Sequence, residues 1–394
     1  LETCVPTDIS SFQEIRSLQD TNTDNPYRWQ TGKFAWSPDG TKIALVNRYD
    51  NSDLPLEERA SVVDVWEVDS GQLIVTLPIN SLSDIESVVW SPDGNWLAAS
   101  QYLSPGSSVY LWDIERNWSE KRLELPEMAF VRDLIWSPDG TNLALTWISS
   151  DTDFREPQLG VPGQNVNIWN VETGELIRTE STNIQAYVIS GDENWYIALR
   201  NNDILRIQEI DNGEEIFTLN DVYVADAIQN ANIGRLVTVH LDPTSDVVQV
   251  WDIVSQEELL HIEANAWTGS SLSPNGRYLF STDIFSEPSN TLWDIISGLQ
   301  LPLPLSSNEQ IRSLSWYPCD DIAAATVLDV SSDQIGAEIR IWNIPTGEIE
   351  VTLEGHTGSV YFLAWSPDGT MLASSSDDGT LRIWGIPSTE TPTS

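Results

Sequence analysis

Residues 355–386 read GHTGSVYFLAWSPDGTMLASSSDDGTLRIWGI and bring His356, Ser374 and Asp378 into one short stretch. Imidazole, hydroxyl and carboxylate are the residue types of a general base, a nucleophile and an orienting acid. The only other imidazoles are His240 and His261, and there is no nucleophile elbow, zinc-binding HExxH or phosphate-cradling glycine loop. A pair of carboxylates acting as acid and base needs no local spacing, so glycoside chemistry stays open. The acidic pairs Asp50 with Asp53 and Asp151 with Asp153 offer oxygen ligands to calcium. They lack the glycine and distal glutamate of a defined calcium loop, so calcium is the one cofactor considered and none is required.

The elements that must position these residues are short strands. Ser-Pro-Asp-Gly or Ser-Pro-Asn-Gly recurs at 37–40, 91–94, 137–140, 273–276 and 366–369, with worn versions at 190–193, 229–234 and 317–320. Proline presets φ, Asp or Asn caps the turn and glycine takes the left-handed position, so each is a hairpin with a strand on either side. A second series interleaves with the first: Val65-Trp66, Leu111-Trp112, Ile168-Trp169, Ile207-Gln208, Val250-Trp251, Leu292-Trp293, Ile341-Trp342 and Ile383-Trp384. Polar turns ending in glycine, such as Glu172-Thr173-Gly174, then lead into a fourth strand. A unit of four strands, a to d, repeating at about 40 residues is the period of a propeller blade. The regular position of the strand-c tryptophans assigns them to packing between blades.

This pattern resembles the WD-repeat β-propeller family over roughly residues 34–386, with the worn repeats of a bacterial-type member. The resemblance implies an all-β fold, a single closed β-propeller of four-stranded blades. Eight units are counted, seven being the alternative if one weak unit is misread. It also implies that His356, Ser374, Asp378 and Trp384 form a hydrogen-bonded structural tetrad rather than a catalytic triad. The last unit lacks a fourth strand, and the segment Phe12–Leu18 looks like one, so the N-terminus is expected to complete the eighth blade and close the ring. The domains are then an N-terminal segment 1–33 with its closing strand, the propeller 34–386, and a Ser/Thr/Pro tail 387–394.

Alternating strand direction puts a–b and c–d turns on one face and b–c and d–a loops on the other. The b–c connections at 48–60, 101–107, 149–164, 283–289 and 328–337 are enlarged, and long loops on a rigid scaffold carry recognition. The candidate interaction face gathers Tyr27, Arg28 and Trp29 from the entry loop, with Tyr49, Tyr102, Phe130, Phe154, Arg155, Trp267 and Phe285.

The chain has 19 basic against 60 acidic residues, a formal net charge of −41. That charge opposes binding to nucleic acid or to an anionic membrane surface. Cys4 and Cys319 allow one disulfide, two free thiols or lipid attachment at Cys4; the expected ring closure brings them near each other, which favours the disulfide and an oxidising compartment. The function expected is a non-enzymatic, acidic, extracytoplasmic scaffold, secreted or on the cell surface. It binds protein partners or copies of itself in a homo-oligomer or filament. The alternatives are a propeller carbohydrate hydrolase or lyase using channel-mouth carboxylates, a cation or small-ligand sensor, and, for location, the cytoplasm.

Overall fold

The computed structural model describes the chain except residues 1–8, 19–27, 50–60, 80–84, 102–107, 126–128, 150–163, 182–184, 191–194, 202–203, 221–227, 231–234, 241–245, 254, 265–268, 283–289, 319–320, 330–337 and 388–394. Cys4, Cys319 and all four candidate calcium ligands fall outside the described residues, as do Tyr27, Tyr102, Phe154, Arg155, Trp267 and Phe285.

Each of the eight predicted units is a four-stranded sheet. Seven of them pair their strands in sequence order; the eighth runs Gln13–Leu18, Leu381–Gly385, Met371–Ser376, Val360–Trp365. The N-terminal strand thus supplies strand d of blade 8, antiparallel to strand c with Gln13 opposite Gly385 and Leu18 opposite Leu381. The chain divides into two compact units. One, Leu1–Asn80 with Leu301–Ser394, holds blades 1, 7 and 8; the other, Ser81–Gln300, holds blades 2 to 6.

The turn residues behave as their chemistry dictates. At 366–369 the Gly369 N–H donates to the Ser366 carbonyl at 2.9 Å. The Asp368 Oδ1 accepts the Ser366 hydroxyl at 2.6 Å and the Thr370 N–H at 3.0 Å. The same pattern holds at Asp39, Asp93 and Asp139, and Asn275 supplies it in blade 6. At Asp39, Asp139 and Asp368 burial pushes the carboxyl up, but the hydroxyl and N–H donors outweigh it: Asp39 falls to about 2, and Asp139 and Asp368 are lowered too.

Within each unit the apolar residues of one sheet meet those of its neighbour, so the cores lie between blades. In the first unit, Ile9, Phe12, Tyr317, Leu363 and Trp365 belong to a cluster joining blades 7 and 8. Leu18, Trp36, Trp66, Leu381 and Ile383 belong to one joining blades 8 and 1. The closing segment is therefore built into two cores at once. Its Phe12 ring lies 5.7 Å from that of Trp365.

Candidate functional site: the blade 8 network and the corner beside it

His356, Ser374, Asp378 and Trp384, the four positions that the resemblance singles out, are joined by hydrogen bonds. His356, whose side chain is fully buried, shares its Nδ1 with Asp378 Oδ2 at 2.9 Å and its Nε2 with Ser374 Oγ at 2.7 Å. The Trp384 indole N–H donates to the same Ser374 oxygen at 2.8 Å. Asp378 also accepts the Thr357 N–H at 3.0 Å, the Thr380 N–H at 2.9 Å and the Thr380 hydroxyl at 2.6 Å. Burial pushes the Asp378 carboxyl up, and hydrogen bonds from His356, Thr380 and Thr357 overcome it and hold the group well below the usual carboxylate range. Ser374 is buried at 0% exposure, so its oxygen ties a loop and a tryptophan together inside the protein. A buried, fully engaged carboxylate of this kind rigidifies its surroundings.

Register across strands b and c explains which blades keep this arrangement. The residue two positions beyond the one opposite the strand-c tryptophan is Thr238 in blade 5, Ser281 in blade 6 and Ser374 in blade 8. Thr238 accepts the Trp251 indole N–H at 3.0 Å. In blade 6 the Trp293 N–H goes to Thr291 Oγ1, which lies 2.5 Å from Ser281 Oγ. Blades 1 and 7 have Leu45 and Ala325 there, and the buried indole N–H groups of Trp66 and Trp342 find no acceptor among the described residues. In blade 4, Gln208 replaces the tryptophan and Arg178 of blade 3 reaches its Oε1 at 3.4 Å.

The ring-closing strand is fastened at both sides by arginine. Arg382 pairs with Glu14 across the join. Gly355, at φ 151°, leaves room for that pair: a Cβ there would stand 2.5 Å from Arg382 Nη1. Arg16 reaches the carbonyls of Ser70, at 3.1 Å, and Asp69 in the c–d turn of blade 1. Lys121 does the same from blade 2 to Val171 and Glu172 of blade 3, and Arg178 from blade 3 to Ile210 of blade 4. All three sit in strand d opposite the residue before the strand-c tryptophan or its replacement.

Of the predicted interaction residues, four have a described backbone. Arg28 and Trp29, read in the sequence as an entry loop, are instead in strand a of blade 1 (Arg28–Trp36), opposite Tyr49 and Arg48. A sheet edge with unpaired backbone groups is costly, and Arg28–Gln30 pair before the register shift that ends at Phe34. Phe130 is in strand a of blade 3, opposite Ile148.

At the b–c end of blade 8 the structure adds residues that the sequence reading missed. Strand a carries a register shift in blade 7 between Ile311 and Ser313 and in blade 8 between Val360 and Phe362. Bulges re-aim side chains, and the two skipped residues, Arg312 and Tyr361, meet. The Arg312 guanidinium lies over the Tyr361 ring at 4.2 Å, and the Tyr361 hydroxyl donates to Asp377 at 3.2 Å. The available signal is their fixed place, five residues before Tyr317 and Ser366, where the turns begin.

On the a–b/c–d ends of blades 2 and 3, a cavity of about 250 Å³ is lined by Asp93, Asp113, Glu115, Asp139, Glu172 and Arg116, among others. Arg116 on its wall bonds Asp113 at 2.8 Å. Asp139 there is held in its charged form, which suits an acceptor and not a proton donor. Among the described residues no group of His, Cys, Asp and Glu is arranged to hold a metal ion.

The family model described as WD domain, G-beta repeat matches residues 71–113 and 347–385. The WD repeat-containing protein 26 homolog of Arabidopsis thaliana is 31% identical over 141 residues, 36% of this chain and 23% of that protein. The WD repeat-containing protein WDS homolog of the same plant is 24% identical over 231 residues, 56% and 42% of the two chains. The chain thus spans less than half the length of these curated relatives. Among solved structures, the C-terminal WD40 domain of Sif2 superposes with a TM-score of 0.62 at 12% identity, covering 96% of this chain and 99% of that one. The eight four-stranded sheets and the superposition show a β-propeller fold built of eight blades, in which residues 71–113 and 347–385 match the WD repeat.

Proposed function

We propose that this chain is a non-enzymatic interaction module that holds a protein partner on the b–c and d–a ends of its blades. The observation that carries the reading is the asymmetry of the connections. Strands b and c are joined through residues 50–60 in blade 1, 150–163 in blade 3 and 330–337 in blade 7, whereas the a–b turns of blades 1, 2, 3, 6 and 8 are tight, hydrogen-bonded Ser-Pro-Asp-Gly or Ser-Pro-Asn-Gly hairpins. Long segments on a rigid frame are where recognition is built. A chain of the mitotic checkpoint complex shares the fold, with a TM-score of 0.50 at 19% identity, and its place in that complex supports an assembly role. The carboxylates whose acidity departs from the ordinary value are all lowered among the described residues, so each favours a structural acceptor role over general-acid chemistry.

The module works outside the cytoplasm. Support comes from the charge of −41 and from the pair Cys4 and Cys319. Self-association is one form the partnership takes. The test replaces residues 151–162 by a glycine–serine segment and, separately, substitutes Asp93 and Glu115 on the opposite ends. The loop variant should lose a co-purifying partner while melting as the wild type does. Loss only in the Asp93/Glu115 variant would assign the opposite face.

A further inference from the structure

The reading above leaves open what the face recognises, and the corner between blades 7 and 8 supplies an answer that rests on it. Arg16, Arg116, Arg178, Arg277, Arg340 and Arg382 are each taken up by carboxylates or backbone carbonyls. Arg312 is exposed, and its contact among the described residues is the face of Tyr361. Among the described residues no carboxylate or carbonyl pairs with its five N–H donors, in a chain of net charge −41.

The guanidinium is held in place from below. The bulge that turns Arg312 out of the ladder is fixed by the Ser313 N–H, which donates to Thr326 Oγ1 at 3.0 Å. The Tyr361 hydroxyl is tied to Asp377, and donation to a carboxylate enriches the ring that faces the cation. Asp377 is itself pinned: its N–H donates to the Ser359 carbonyl at 3.1 Å, and a Cβ on Gly358 would lie 1.9 Å from its Oδ1, so the carboxylate fills the space that only glycine leaves. The residue that follows Tyr361 in strand a, Phe362, is 38% exposed. Preorganised arginine beside an exposed aromatic ring is the composition of an interface anchor.

We infer that Arg312, held by Tyr361 and flanked by Phe362, receives a lone carboxylate side chain set among apolar residues in a partner protein. One guanidinium matches one carboxylate in a two-point contact. The surrounding negative charge rejects segments carrying several acids and rejects phosphate backbones. The apolar neighbour of the carboxylate lies on Phe362.

The test is an array of N-acetylated, C-amidated dodecapeptides in which a single Glu is placed among Leu, Ala and Ser, with Gln, Lys and tri-Glu counterparts. The probes are the wild type, Arg312→Gln and Arg312→Lys. The wild type should prefer the single-Glu peptides over their Gln counterparts by about tenfold, Arg312→Gln should lose the preference, and Arg312→Lys should keep only part of it. No preference in the wild type, equal preference in Arg312→Gln, or preference for tri-Glu or Lys peptides overturns the inference. A dimer seen by sedimentation in the wild type and lost in Arg312→Gln would also overturn it, by making the occupant a second copy. If the 151–162 replacement loses its partner while Arg312→Gln does not, the inference fails and the reading of the face stands.

Discussion

Replacing Asp378 with alanine removes the acceptor of four hydrogen bonds, from the His356 ring, the Thr357 and Thr380 N–H groups and the Thr380 hydroxyl. His356 is fully buried and cannot turn to water. Leaving a buried donor without its charged partner costs about 3 to 5 kcal/mol. At an unfolding entropy of roughly 2 cal/mol/K per residue, 3 kcal/mol lowers Tm by about 4 °C if all 394 residues melt together. The shift is about twice that if the unit holding blades 1, 7 and 8 melts alone. Because the network anchors the sheet completed by Gln13–Leu18, amide exchange of that strand should accelerate as well. The assays are differential scanning calorimetry and hydrogen exchange with mass analysis. A Tm within about 1 °C of wild type, with protection of residues 13–18 unchanged, would refute the claim that this network holds the closure. Partner binding by folded Asp378→Ala should be retained, since the lost groups are interior.

Ala325→Ser places a hydroxyl where Ser374 stands in blade 8 and gives the unsatisfied Trp342 indole an acceptor, so stability should rise by about 0.5 to 1 kcal/mol in urea unfolding. Two electrostatic effects oppose each other below neutral pH. The Arg340 guanidinium and the Ser306 N–H hold the Glu309 carboxyl down at about 2, and the turn carboxylate of Asp39 is likewise near 2. Folded values below the unfolded ones mean that this stability is fully present above about pH 4 to 5 and is lost as pH falls toward 2. Protonating the excess of exposed acids relieves self-repulsion first, so Tm should pass through a maximum near pH 4 to 5, and added salt should raise Tm at pH 7. A Tm that falls steadily from pH 7 downward would contradict this. Alkylation and intact mass under denaturing, non-reducing conditions should find no free thiol; two free thiols would remove the disulfide and the argument for an oxidising compartment that goes with it. Melting with and without calcium tests the Asp50, Asp53, Asp151 and Asp153 candidates, and no shift is expected.

The blade count was legible because turn chemistry is local: the serine, Asp or Asn and glycine of each hairpin satisfy one another within a few residues. The closing strand was legible for a related reason, since a last unit ending after Trp384 leaves an edge that Gln13–Leu18 fits in pattern. What was not legible depends on contacts between blades. The strand-d clamps of Arg16, Lys121 and Arg178 look in sequence like ordinary exposed cations, and only the neighbouring turn reveals their acceptors. Arg312 and Tyr361 stand 49 residues apart, and no spacing rule pairs them; the two bulges do. Arg28 and Trp29 were misread because a strand that starts before its register shift carries no alternating pattern.

The most direct test uses the abundance of acids. Carbodiimide-driven labelling of carboxylates with glycine ethyl ester, read by peptide mass analysis, compares the isolated chain with the complex recovered from its native source. Protection should fall on Asp377 and on the acids of the b–c connections, Asp50, Asp53, Asp151 and Asp153, and should spare Asp39, Asp93, Asp139 and Asp368 in the a–b turns. Protection of the a–b turn aspartates, with the b–c acids labelled as in the free chain, would contradict the account.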